Sequence, residues 1–527
     1  MHSKPKRFLS DSLLVSGTLY PDKSAVVVEG QSYRYGALLE SARKLAGALL
    51  QRGLQRGDRV AIYMDNTWPC IISIYAVAMA GGVFLVINPQ TKPDKLAYIL
   101  NDSEATVLIT DVHLKAVINE AAPEFKTVTR ILCSGKDNNV QQELSSVRVP
   151  VEYFDEVVAT ASPLTSSVNI TPLDLAALIY TSGSTGNPKG VIHTHQSMTF
   201  ALGSLIEYLR LSHEQILLNM LPFAFDYGLY QLLMAVELGA TLVLERSFTY
   251  PAQVFKRIHE FKVTVFPGVP TIFSMLLAAH NRSALEFPTI GRVTNTAAAL
   301  PADYVPKLKQ IFPNALIYKM YGLTECKRVS YLEPELIGAK ASSVGKAIPG
   351  TEVFLLTQEG MPAAPGELGI LHVRGPHVML GYWKQPELSR HMLKEGTHPQ
   401  ERVLCTHDWF RMDEEGFLYF IGRSDDIIKT RGEKVSPIEV ENVLHGIEGI
   451  VEAAVIGQPD ELLGEKICAF VALDENSTLT DKAIRKLCLD HLENFMVPQE
   501  IIILDSLPKT ATGKISKKLL KETYAQP

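Results

Sequence analysis

Tyr180-Thr181-Ser182-Gly183-Ser184-Thr185-Gly186-Asn187-Pro188-Lys189-Gly190 follows an apolar run, Leu175 to Tyr180, that reads as a buried strand. Three glycines let backbone amides approach an anion, and Thr and Ser hydroxyls add donors. Lys189 supplies the compensating charge. A Ser/Thr/Gly string alone is an ordinary turn; the lysine and the preceding strand make it a phosphate-binding loop, with a nucleoside triphosphate as its natural guest. The common NTPase phosphate loop is excluded because Lys189 precedes Gly190 instead of following a glycine, and GxGxxG is not matched either.

Outward from this loop, strands alternate with helices, which argues for α/β layers. N-terminal to it, Tyr35 to Leu50 reads as a helix, and Arg59 to Met64 and Ala105 to Thr110 as buried strands. The apolar stretch from Trp68 to Ile87 is long enough to cross a bilayer. Pro69 starts it, Gly81-Gly82 splits it, and Val83 to Ile87 is β-branched and aromatic, so it reads as a buried helix followed by a buried strand. Ser134 to Pro172 is more polar and reads as irregular connection. On the C-terminal side, Val263 to Phe266 and Gln253 to Phe261 continue the strand and helix alternation. Thr351 to Val373, broken by Glu359-Gly360 and Pro365-Gly366, reads as a small antiparallel unit.

The last hundred residues change character. Ser436-Pro437-Ile438-Glu439 has a potential N-cap, a proline at the first helical position and a glutamate able to return a capping bond. Val440, Val443, Leu444 and Ile447 share one face. Val451 to Ile456 and Ile467 to Val471 read as strands, and Ile484, Leu487 and Cys488 as the packed side of another helix. The expected organisation is a large region, 1–424, with units at about 1–172, 173–345 and 346–424, followed by a small α+β domain, 425–527.

A chain of 527 residues, 46% hydrophobic and 20% charged, fits a multi-unit globular protein. A net charge of -6 with both signs interspersed excludes a global field for nucleic acid. The basic tail around Lys514, Lys517, Lys518 and Lys521 is only local. Six cysteines without a CxxC pair support neither a disulfide scaffold nor a clustered metal site, so a reducing, cytoplasmic home is expected. Met1 to Leu9 lacks the apolar core of a secretory signal.

The loop at 180–190 resembles the signature loop of the adenylate-forming superfamily, which includes acyl- and aryl-CoA synthetases, adenylation domains and luciferases. The resemblance extends over nearly the whole chain. It implies a large N-terminal α/β region with layered parallel sheets and a small β-barrel-like subdomain, and a mobile α+β C-terminal domain. Contacts of Thr181, Ser182, Gly183, Ser184, Thr185, Gly186 and Lys189 with nucleotide phosphates are implied. Tyr321-Gly322-Leu323-Thr324-Glu325 resembles the second signature, in which Tyr321 would stack on adenine, Thr324 contact phosphate and Glu325 hold Mg²⁺. A carboxylate suits that hard cation and a tyrosine suits a flat base. Thr406-His407-Asp408 is similar to a Thr-Gly-Asp segment whose acid binds ribose hydroxyls, with His407 standing where glycine is usual. Gly422-Arg423-Ser424-Asp425-Asp426 resembles the domain junction, implying nucleotide contact for Arg423 and a hinge at Asp425. Gly432-Glu433-Lys434-Val435-Ser436-Pro437 resembles the loop that approaches the thiol channel after domain rotation. Pro508-Lys509-Thr510-Ala511-Thr512-Gly513-Lys514 looks like the terminal catalytic loop, with Lys514 meeting the carboxylate oxygen and the α-phosphate.

The implied activity is ATP-dependent conversion of a small carboxylic acid to acyl-AMP with release of pyrophosphate, then transfer to the thiol of CoA. A separate acyl or peptidyl carrier protein bearing phosphopantetheine is the alternative acceptor, because only thirteen residues follow Lys514. A nucleotide-binding regulatory protein without turnover is the other class. In the acyl region, Leu221-Pro222-Phe223-Ala224-Phe225-Asp226-Tyr227-Gly228 marks Phe225 and Asp226 as substrate-binding candidates. Asp226 either holds a substrate ammonium, as the Phe-Asp pair of amino-acid-adenylating relatives implies, or caps the helix carrying Leu229, Leu232 and Leu233. Phe266 to Leu277 either lines a hydrophobic pocket or packs in the core.

Overall fold

The computed structural model describes residues 6–524 apart from 136–138, 167, 182–186, 299, 302, 400, 424–425, 431–432, 461, 475–476 and 511–513. Two sheets form the body. One has seven strands in the order Val151–Tyr153, Arg130–Ser134, Ala105–Asp111, Arg59–Tyr63, Val83–Ile87, Leu175–Thr181 and Lys189–Thr194. Its strands are parallel except for the last pair. The stretch from Trp68 divides as expected, into the helix Trp68–Met79 and the strand Val83–Ile87. Residues 70–79 are buried on every side of that helix, and no described helix is long and apolar enough to cross a membrane.

The second sheet has nine strands, ordered Lys346–Ala347, Ser330–Leu332, Leu316–Tyr321, Arg292–Asn295, Val265–Gly268, Ile216–Asn219, Thr241–Leu244, Ser24–Val28 and Gln31–Arg34. It is parallel through the centre and antiparallel at both edges. The sheets exchange strands across residue 172. Ser24–Val28 and Gln31–Arg34 leave the N-terminal segment for the second sheet, while Leu175–Thr181 and Lys189–Thr194 complete the first. The segment 134–172 is not plain connection. It holds Val140–Glu143, the edge strand Val151–Tyr153 and the helix Phe154–Thr160, whose Phe154 and Val157 are buried. Phe266 to Leu277 is mostly core, with the Phe266 and Phe312 ring centroids 5.2 Å apart.

The third unit is a five-stranded antiparallel sheet of Glu352–Leu356, Leu368–Arg374, Arg402–Met412, Leu393–Glu395 and Leu418–Arg423. The small lobe has its own five-stranded sheet around Ile450–Asp460 and Gly464–Leu473, covered by the helices Pro437–His445, Asp481–Leu489 and Lys517–Tyr524. Ser436 caps its helix by accepting from the Glu439 amide at 3.4 Å. No return bond from the Glu439 carboxylate is recorded among the described residues. Ile484 and Cys488 are buried, but Leu487, expected with them, is 36% exposed on the outer face of its helix. All six cysteines are buried and unpaired.

Candidate active site

Parallel strands present their carboxyl ends on one edge, where ligands of such sheets bind. In the nine-stranded sheet the segment Leu221 to Asp226 follows Ile216–Asn219, Thr296 follows Arg292–Asn295, and Tyr321 ends Leu316–Tyr321; Thr181 ends Leu175–Thr181 of the seven-stranded sheet. The loop after Tyr321 folds tightly on itself. A Cβ on Gly322 would lie 2.5 Å from the Lys327 carbonyl oxygen and 2.9 Å from the Arg328 Cα. Lys327 takes a φ of 63° within the same turn. The segment at 221 is held by Asn66, which donates to the Leu221 carbonyl at 2.8 Å and accepts from the Phe223 amide at 2.9 Å. A Cβ on Gly228 would meet the Pro222 carbonyl oxygen at 2.4 Å, so glycine permits this close turn.

Of the phosphate-loop residues, Ser182, Gly183, Ser184, Thr185 and Gly186 lie outside the described residues. The flanks are defined. Thr181 Oγ1 is buried and has no hydrogen-bond partner among the described residues, an unsatisfied donor suited to an incoming oxygen. Tyr180 ties the strand down by donating to Asp102 Oδ2 at 2.6 Å. Lys189 Nζ donates to the Tyr382 hydroxyl at 2.8 Å and stands 3.7 Å from Glu325 Oε1. Tyr382 donates in turn to Glu325 Oε1 at 2.6 Å. Burial, then the Glu325 charge, pushes the Tyr382 phenol pKa up, so it is a fixed donor. Tyr382, which sequence reasoning missed, thus bridges the lysine of one signature and the acid of the other.

Thr324 contributes its carbonyl oxygen to a 2.9 Å bond from His193 Nε2. Burial lowers the His193 pKa, so a neutral imidazole anchors the turn. Tyr321 donates to Asp408 Oδ2 at 2.5 Å and packs edge-on to Phe410, centroids 4.9 Å apart. Asp408 and Arg423 are direct cross-strand partners, and Arg423 Nε lies 3.7 Å from Asp408 Oδ1. Burial raises the Asp408 carboxyl to about 6, against the pull of Arg423 and Tyr321. His407 adopts φ 57°, the left-handed conformation that favours glycine. Its ring leaves the site and stacks on His391 at 4.3 Å. Asp425 lies outside the described residues.

Lys514 of the small lobe reaches this edge. Its Nζ stands 5.8 Å from the centroid of the Phe225 ring. Burial lowers its pKa, with Arg423 adding to the effect and Asp226 opposing it. Asp226 is buried at the first turn of the helix Asp226–Leu238. The capping alternative finds no bond, since Phe225 occupies the N-cap without a side-chain cap. The Asp226 carboxylate instead receives Lys327 Nζ at 3.3 Å. Burial brings the Lys327 pKa down to about 7, with Asp226 resisting. Lys327 and Arg328 were also missed. Their signal was present: two consecutive cations directly after Glu325-Cys326, at the end of a buried strand.

Among the described residues no group of three or more His, Cys, Asp or Glu side chains could hold a metal by itself. One buried carboxylate, Glu325, facing a lysine from a phosphate loop fits Mg²⁺, which is usually held by one or two carboxylates together with substrate phosphates.

A network of Lys189, Tyr382 and Glu325, an ion pair of Asp408 and Arg423 across two strands and a lysine from a second lobe are the parts expected of a two-lobed nucleotide-dependent acid-activating enzyme. The chain belongs to the AMP-binding enzyme family: residues 15–383 match that family, and residues 439–514 match the AMP-binding enzyme C-terminal domain. It is 32% identical to the long-chain-fatty-acid–CoA ligase of Bacillus subtilis (strain 168), over 98% of this chain and 95% of that protein. The crystal structure of the anthranilate CoA ligase AuaEII with anthranoyl-AMP superposes with a TM-score of 0.88 at 26% identity, covering 98% of this chain and 97% of that one. ATP-bound MatB from Rhodopseudomonas palustris gives a TM-score of 0.85 at 26% identity, covering 98% and 99%.

Proposed function

We propose that this chain activates a carboxylic acid with ATP, forming acyl-AMP and pyrophosphate, and then transfers the acyl group to the thiol of CoA. The observation that carries this reading is Lys514 Nζ standing over the Phe225 ring, within electrostatic reach of Arg423 and Asp226. In the first step a carboxylate oxygen attacks the α-phosphorus of ATP, the α,β-bridging P–O bond breaks, and pyrophosphate carries away the charge. Lys189 and the Thr181 hydroxyl hold the β- and γ-phosphates. Mg²⁺, when bound at Glu325, neutralises phosphate charge and polarises the phosphoryl oxygens. Tyr382 keeps Glu325 and Lys189 oriented. Asp408 accepts ribose hydroxyls, Tyr321 and Arg423 contact the nucleotide, and Lys514 stabilises negative charge between carboxylate and phosphorus.

In the second step the thiol sulfur attacks the acyl carbonyl and AMP leaves, its phosphate being a competent leaving group where oxide is not. The small lobe turns about the segment containing Asp425, withdrawing Lys514 and admitting the thiol. Pyrophosphate release on addition of ATP, Mg²⁺ and an acid panel tests the first step. Mass spectrometry of the thioester, with CoA and with a phosphopantetheinylated carrier protein as acceptors, tests the second. Nucleotide binding without pyrophosphate release for any acid would sink the proposal.

A further inference from the structure

The small lobe also meets the body away from the segment about which it turns. The helix Pro437–His445 starts beside that segment, where Ser436 Oγ donates to the Ile421 carbonyl. A helix of nine residues is about 13 Å long, and at its far end His445 reaches the body. The His445 ring stands edge-on to Tyr304, with centroids 6.5 Å apart and planes at 74°. Tyr304 opens the helix Tyr304–Ile311 and is buried. His445 Nδ1 is buried too, with no hydrogen-bond partner among the described residues. Burial lowers the His445 pKa, against the pull of Glu441, Asp303 and Glu452, so a neutral ring makes the contact.

The two small-lobe acids that face His445 also clamp the chain on either side of Lys514. Glu452 Oε1 pairs with Lys509 Nζ at 2.5 Å, and its Oε2 accepts from the Leu507 amide at 3.0 Å. Glu441 Oε1 pairs with Lys517 Nζ at 2.7 Å and accepts from the Val455 amide at 2.8 Å. Glu452 faces Tyr304 as well. The lobe contact and the segment carrying Lys514 are thus built on one set of side chains and move together. A contact at the pivot survives rotation of the lobe, whereas one a helix length away has to break. We propose that the Tyr304–His445 contact holds the small lobe in the arrangement that puts Lys514 over Phe225, which makes both rings positioning residues for adenylation and leaves thiol transfer independent of them. The inference rests on the acid-activation reading above. Adenylation runs with Lys514 in place and transfer runs after the lobe has turned, so the ratio of their single-turnover rates follows the balance between the two arrangements, whichever is more populated.

The test measures both half-reactions of the full chain in Tyr304→Ala, His445→Ala and the double variant. Pyrophosphate release with ATP, Mg²⁺ and palmitate, or the panel acid that turns over fastest, reads adenylation. Thioester formation from the synthetic acyl-AMP of the same acid and CoA reads transfer. Loss of one aromatic pair predicts that the adenylation-to-transfer ratio falls about 2- to 10-fold in each single variant. The double variant should fall no further, because the two rings make one contact. Tyr304→Phe, which keeps the edge-on ring, should keep the ratio. If an alanine variant fails to fold, Tyr304→Leu and His445→Leu, which fill the space without the pairing of rings, are read in its place. A purely structural role would lower both rates together at an unchanged ratio and overturn the inference, and so would single losses that multiply in the double variant. Either result leaves acid activation standing. No pyrophosphate release by the wild type with any acid overturns the activation reading, and the inference with it.

Discussion

Replacing Lys514 by Ala separates the two half-reactions. Lys514 is the small-lobe cation that stands at the Phe225 ring, 5.8 Å from its centroid. Removing one preorganised group that meets developing charge costs about 100- to 1000-fold in rate, about 2.7–4 kcal/mol. The bonds of the described residues that flank it do not use the side chain. The Thr510 amide donates to the Lys514 carbonyl at 2.7 Å, the Lys514 amide to Thr510 Oγ1 at 3.2 Å, and Lys509 bridges to Ile515. None of these bonds uses Nζ, so the variant should keep its fold, which its melting temperature checks. Pyrophosphate release measures adenylation, and thioester formation from synthetic acyl-AMP and CoA measures transfer. The first should drop by two to three orders of magnitude, as estimated above, and the second by less than about tenfold. Equal losses in both assays would refute the assignment, because a lysine needed equally for transfer cannot be one that withdraws before it.

Three further outcomes follow from the same geometry. Asp408 titrates from 3.8 up to about 6 on folding. Its protonated form therefore stabilises the fold at low pH, and about 3 kcal/mol of that is lost between about pH 4 and 6. AMP needs the ionised form, so AMP affinity should weaken about tenfold per unit below pH 6, and calorimetry on Asp408→Asn should show a flat pH profile at low affinity. Tyr382→Phe removes the hydroxyl between Lys189 and Glu325, leaving a buried carboxylate short of a donor at about 1–3 kcal/mol. KM for ATP should rise about tenfold, and an unchanged KM with unchanged melting would remove Tyr382 from the network. His407→Gly relieves left-handed strain of about 1–2 kcal/mol but adds unfolded-state entropy and loses the His391 stack. Chemical denaturation should find the variant within about 1 kcal/mol of the parent; a loss above about 3 kcal/mol would mean that the His407 ring itself supports the loop.

The motifs were legible because each is local. A strand such as Leu175–Thr181 ends, a turn follows, and the turn's residue types declare its chemistry. Helix-then-strand at Trp68 to Ile87 was legible for the same reason, through Pro69 and Gly81-Gly82. The exchange of strands across residue 172 was not, because pairing of Val26 with Leu242 spans most of the domain and leaves no mark in either segment. The polar interval at 134–172 hid a helix because Phe154 and Val157 alone bury its inner face. A short element needs few apolar residues, so composition dilutes it.

The site shows the same limit at closer range. Lys189, Glu325, Asp408, Arg423 and Lys514 could be picked out one by one as candidates, yet the contact between Lys189 and Glu325 depends on Tyr382, and the turn beside Glu325 on His193, whose surrounding sequence carries no motif. Tyr382 comes from the segment after the sheet strand Leu368–Arg374 and reaches Lys189 through the bridge between Val191 and Tyr382. Nothing in Gly381-Tyr382-Trp383 foretells that partner. Asp226 was readable as an acid at a helix start but not as the partner of Lys327, because the two are a hundred residues apart in sequence and meet only when the turn closed by Gly322 folds back. A candidate site carried by one loop is therefore written where the loop stands, whereas the charge balance of a buried pocket is written across strands and becomes readable only once they are packed.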